Sequence, residues 1–115
     1  MGLAVANAGT GQMLDWLCAR LAARVPTRVA FLNAHCANVA ARDATYRQAL
    51  ETADALLPDG SGLAIAARLR GEALAANLNG TDLIPALCAR MAAAGQSIYL
   101  LGGRPGVAEA AGAAL

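Results

Sequence analysis

The feature that most constrains this chain is a pattern that occurs three times: a short apolar run, a polar or glycine-rich corner, then apolar residues at helical spacing. Arg28 to Leu32 (RVAFL) runs into Asn33, Asp54 to Pro58 (DALLP) into Asp59-Gly60-Ser61-Gly62, and Ser97 to Gly103 (SIYLLGG) into Arg104-Pro105-Gly106. Runs this short and continuously apolar suit strands covered on both faces, and strands that alternate with helices build a parallel sheet. The expected class is α/β, with SIYLLGG the clearest strand.

Helical stretches fill the intervals. After Thr10, expected as an N-cap, Leu14, Leu17, Cys18, Leu21 and Val25 recur at intervals of three and four until Pro26. Residues 34–51 are expected to be helical with a break near Asp43, and Leu63 to Leu69 forms the helix after the DGSG corner. Arg70 to Gly80 is irregular. Thr81 is expected to cap the next helix, with Asp82 and Pro85 in its first turn, Leu83, Ile84, Leu87, Cys88 and Met91 as its buried stripe, and Gly95 at its C′ position. Pro105 opens a last helix near N1. Leu115 falls inside that helix with no capping glycine beyond it, so the chain reads as a single α/β domain over residues 1–115 that is truncated.

Composition removes several classes of function. The share of hydrophobic residues, 57%, and of charged residues, 15%, belongs to a globular domain, and a net charge of +1 with no basic cluster speaks against a nucleic-acid partner. Cys18, Cys36 and Cys88 lie far apart with no CxxC pair, and read as reduced core thiols with no metal or disulfide role. No stretch of about 18 apolar residues spans a membrane, and the N-terminus lacks the basic region of a signal peptide. A cytoplasmic protein is expected.

In a parallel sheet, ligands bind beyond the carboxyl ends of the strands. If the three strands are neighbours, Asn33, Asp59 and the Gly102-Gly103 pair line one crevice. Asp59 reads either as a helix cap or as a general base, and Asn33 either as a cap or as a ligand for a sugar hydroxyl. Gly102 and Gly103 followed by Arg104 fit a diphosphate, or simply a tight turn. His35 has no nucleophile at a known spacing and reads as a structural histidine. Arg68 and Arg70 read as solvated, Trp16 and Tyr46 as packing residues, and Tyr99 as core.

Together, the Asn33 corner, the "ADALLPDGSG" corner, the "GTDL" helix start and the "LLGGRPG" loop resemble the WecG/TagA/CpsF family of bacterial glycosyltransferases, over about residues 28–115. The resemblance implies a Rossmann-like parallel sheet with flanking helices, no metal and no cofactor. It also implies an inverting transfer of an N-acetylmannosamine-type sugar from a UDP-sugar to polyprenyl-diphosphate-linked GlcNAc, for teichoic acid or another cell-surface polysaccharide. By position, Asp59 matches the proposed catalytic base, and Asn33, Gly60, Asn77, Gly102, Gly103 and Arg104 fall at substrate-binding positions. Phe31 stands where many members have Thr and Asn77 where many have Arg, which opens the donor to a glucosyl or glucuronosyl unit.

Members of the family are longer. The remainder is expected to complete the nucleotide site and to make peripheral contact at the inner face of the cell membrane, and a homo-oligomer is allowed. Two rival readings are an inactive remnant that pairs its open sheet edge with another chain, and a generic nucleotide-binding domain.

Overall fold

The computed structural model describes residues 2–114, so the expectation for Leu115 lies outside the described residues. Their element order is α1 Thr10–Ala22, β1 Val29–Leu32, α2 Ala34–Ala40, α3 Ala44–Glu51, β2 Ala55–Pro58, α4 Ser61–Leu69, α5 Gly80–Ala93 and α6 Val107–Ala114. β1 and β2 pair in parallel, Val29 opposite Ala55 and Leu32 opposite Pro58. A parallel pair needs a long crossover, and α2 and α3 provide it. The α/β class and the Rossmann-like layering hold.

Successive side chains of a strand point to opposite faces, and both faces are covered. Val29, Phe31, Ala55 and Leu57 meet Met13, Leu14 and Leu17 of α1 and Leu83 of α5. On the other side, Ala30, Leu32 and Leu56 meet Ala37 and Ala40 of α2 and Leu50 of α3. This is why the strands read as unbroken apolar runs. Leu57, at 0% exposure, is the centre of the first cluster.

Polar contacts fasten the helices to the sheet. Arg20 Nε donates to Thr27 Oγ1 at 2.7 Å, and its guanidinium lies 3.5 Å from Asp54 Oδ1 and 5.0 Å from the centre of the Trp16 ring. The other oxygen of Asp54 accepts from the Arg28 amide at 2.7 Å. One arginine thereby joins the end of α1 to the starts of both strands. Arg90 of α5 pairs with Asp15 of α1, and the Asp15 carboxylate raises the pKa of the exposed guanidinium.

The outer edge of β2 is covered by irregular chain. Ala6 N donates to Leu56 O and Leu78 N to Pro58 O, each at 2.8 Å. Pro58 has no N–H to leave unpaired on that edge. Asn7 joins the two covering segments, since its Nδ2 donates to Ala73 O at 3.1 Å and its Oδ1 accepts from Ala75 N at 2.7 Å.

Several local expectations are corrected. Ser97 to Leu101 is not a strand. Ile98 and Leu100 line a cleft with Cys88, Met91 and Ala92 of α5, whereas Tyr99 is 87% and Leu101 88% exposed. The segment is apolar enough for a strand but has no ladder, so Tyr99 is not core. The N-cap of α1 is Gly9, whose amide donates to Gln12 Oε1 at 2.9 Å, and Thr10 is already helical. α1 ends at Ala22, before Pro26, because Arg24 takes φ 53° and Val25 N turns back to Arg20 O. This closing turn carries Val25 off the stripe, into solvent.

The N-cap of α5 is Asn79 rather than Thr81. Its Oδ1 accepts from Asp82 N at 2.9 Å and its Nδ2 donates to Asp82 Oδ2 at 2.8 Å, which puts Pro85 in the second turn. Ile84 of the expected stripe is exposed. Gly95 does end α5 at φ 67°. α6 begins at Val107, after the turn that holds Pro105 and Gly106, so Pro105 is not its first residue.

Leu57→Ala is expected to lower the unfolding free energy by about 2–5 kcal/mol, as loss of a buried leucine does. Urea titration reads this directly, and an unchanged midpoint contradicts the central place given to Leu57.

Candidate functional site

β1 and β2 end side by side, which brings two of the three corners together. The Asp59 amide donates to Leu32 O at 2.8 Å, extending the parallel ladder one residue past β2. Asp59 is half-buried, and among the described residues its carboxylate makes no hydrogen bond to another side chain. It does not cap α4. That place belongs to Gly60, at φ 91° and ψ 163°, a conformation essentially confined to glycine.

Asn33 is the N-cap of α2, its Oδ1 accepting from Cys36 N at 2.8 Å. The capping reading of Asn33 is therefore realised. Gly62 serves the same corner by its smallness, because a Cβ there would lie 2.9 Å from the Ala34 Cβ. The first turns of α2 and α4 consequently touch.

Asn77 closes the other side. Its Oδ1 accepts from the Gly60 amide at 2.7 Å, while Gly80 lies against the Phe31 ring, where an added Cβ would meet Cζ at 3.5 Å. Asp59, Gly60 and Asn77 are thus joined at one corner, which the Asp59–Leu32 bond sets beside Asn33. Phe31 and Asn77 are both engaged by contacts within the protein.

The third corner lies apart from this ladder. Gly102, Gly103 and Arg104 are exposed, with φ of 122° and 81° at the two glycines, and the residues before them line a cleft of about 220 Å³ against α5 and Gly112. Convergence of three corners required a third strand. Since Ser97 to Leu101 has none to pair with, two corners converge.

Other groups sit outside the cluster. His35, Arg68 and Arg70 are exposed, and the three cysteines are half-buried free thiols. The Tyr46 hydroxyl is raised in pKa by its hydrogen bond with the Cys36 thiol, with burial and charge repulsion adding to it. Among the described residues, no cluster of His, Cys, Asp and Glu has the makings of a metal site, and no helix is long and apolar enough to cross a membrane. Sequence reasoning missed Asn7 and the packing role of Gly62. Asn7 had a signal, since it ends the short apolar run LAVA much as Asn33 ends RVAFL.

A carboxylate at the carboxyl end of a parallel pair, flanked by helix starts, is the layout of a ligand-handling α/β domain. The chain belongs to the glycosyl transferase WecG/TagA/CpsF family, which it matches over residues 1–115. No curated protein gives a significant individual match. Membership makes a sugar donor and an acceptor the substrates of the family to which this corner belongs.

Gly62→Ala is expected to force α2 and α4 apart and to destabilise the fold by about 1–3 kcal/mol. Adding Ala34→Gly to that variant removes the opposing methyl and restores the lost melting temperature. No recovery in the double variant contradicts the contact.

Proposed function

We propose that the protein is part of an inverting glycosyltransferase that moves an N-acetylmannosamine-type sugar from a UDP-sugar to polyprenyl-diphosphate-linked GlcNAc. The work belongs to cell-surface polysaccharide or teichoic acid synthesis, at the cytoplasmic side of the cell membrane. The observation that carries this reading is Asp59, anchored to Leu32 by its own amide at the carboxyl end of the sheet, in a chain of this family.

In the proposed reaction the Asp59 carboxylate takes the proton of the acceptor hydroxyl as that oxygen attacks the anomeric carbon. The bond from this carbon to the diphosphate oxygen breaks on the opposite face, and UDP leaves with the bonding electrons. Asp59 then returns its proton to solvent. Asn33 and Gly60 border the sugar, and Gly102, Gly103 and Arg104, which here lie apart from the ladder, meet the diphosphate through exposed backbone and one guanidinium once the rest of the full-length protein draws the third corner to the sheet.

A glucosyl or glucuronosyl donor is the second reading. It is favoured by the internal engagement of Phe31 with Gly80 and of Asn77 with Gly60, since neither side chain offers a ligand the hydroxyl or the positive charge common at these positions.

A panel of labelled UDP-sugars, assayed on the full-length protein with a polyprenyl-diphosphate-GlcNAc acceptor, tests both. Asp59→Asn is expected to reduce turnover by roughly 10²–10⁴-fold with UDP affinity unchanged, and wild-type turnover in that variant refutes the base. Arg104→Ala is expected to raise KM for the donor by about tenfold or more, the worth of a hydrogen bond to a charged group. Equal binding of ADP, NAD and UDP overturns the transferase reading in favour of a generic nucleotide site.

A further inference from the structure

We infer that Asn77 is a positioning residue for Asp59, acting through the Gly60 amide, and is not a substrate ligand. The inference rests on the reading of Asp59 as the base. Its physical ground is the way a side chain is aimed. When the peptide planes before and after a residue are both held, the direction of its Cα–Cβ bond is held with them, because only φ and ψ connect the two planes.

At Asp59 both planes are held. The preceding peptide donates its N–H to Leu32 O at 2.8 Å, and its carbonyl, that of Pro58, accepts from Leu78 N at 2.8 Å. The following peptide donates its N–H, that of Gly60, to Asn77 Oδ1 at 2.7 Å. The first plane is secured by backbone on both sides. The second depends on one side chain, seventeen residues further along.

The second plane is also the one in need of support. Gly60, at φ 91° and ψ 163°, has no Cβ to restrict its backbone, so the peptide before it is confined by its contacts and not by its own sterics. Without Asn77 the peptide between Asp59 and Gly60 loses its anchor, and φ of Asp59, which alone sets the direction of the Cα–Cβ bond against the held first plane, is no longer fixed from that side. The segment that carries Asn77 is itself tied down, by Asn7 to Ala73 and Ala75 and by Leu78 to Pro58.

The chemistry of the contact selects the variants. Asn77→Leu keeps size and loses the acceptor. Asn77→Asp keeps the acceptor oxygen and loses the amide donor that a substrate ligand would use. Amide hydrogen exchange at Gly60, followed by NMR on this chain, is expected to quicken by about tenfold in Asn77→Leu and to stay near wild type in Asn77→Asp. In the full-length protein, Asn77→Leu is expected to reduce kcat by on the order of 100-fold with donor KM unchanged, as misplacing a reacting group by about 1 Å does. Asn77→Asp is expected to recover most of that loss.

Unchanged Gly60 exchange in Asn77→Leu overturns the tether. A raised KM with intact kcat in both variants overturns positioning and returns Asn77 to substrate binding. If Asp59→Asn turns over normally while Gly60 exchange still responds to Asn77→Leu, the base reading has failed and the tether has not.

Discussion

The backbone hydrogen bond from Asp59 to Leu32 is the constraint on which the rest depends. Parallel strands of four residues form too short a ladder to stand unsupported. This bond lengthens the ladder by one rung and sets the corner in the same stroke. The stability of the pair comes from its two covered faces, α1 and α5 on one side and α2 and α3 on the other. Core and site are thus continuous, with Leu57 at the centre of one cluster and Asp59 only two residues beyond it.

The DGSG corner divides its demands between two glycines. Gly60 answers a conformational demand and Gly62 a spatial one, so the two are not interchangeable. Helix ends show a similar economy. α1, α4 and α5 all close with an amide reaching back five residues, Val25 to Arg20, Glu72 to Ala67 and Gln96 to Met91. In two of these the left-handed residue is glycine, Gly71 and Gly95, whereas Arg24 takes that conformation in α1.

What could be read from the sequence was local and periodic. The runs at Val29–Leu32 and Ala55–Pro58, the break at Asp43, the helix after DGSG and the end of α5 at Gly95 all follow from composition over a few residues. Ser97 to Leu101 did not, because apolarity expresses a wish for burial whereas a strand also needs a neighbouring backbone. Helix starts slipped by one or two residues where a better cap stood nearby, as Asn79 does before Thr81. At the site, the types and positions of Asn33 and Asp59 were legible. The bonds of Asn7 to Ala73 and Ala75 and of Asn77 to Gly60 were not, since no short-range pattern encodes a contact between distant parts of the chain.

The covering of β2 gives the sheet a direction. The carbonyls of Leu56 and Pro58 that face away from β1 are already taken by Ala6 and Leu78, and Pro58 has no amide to offer there. On the far side of β1 no strand lies among the described residues. An added strand, from this chain or another, meets an open edge at β1, whereas at β2 it has to displace Ala6 and Leu78 first, so the sheet is a template with a preferred side.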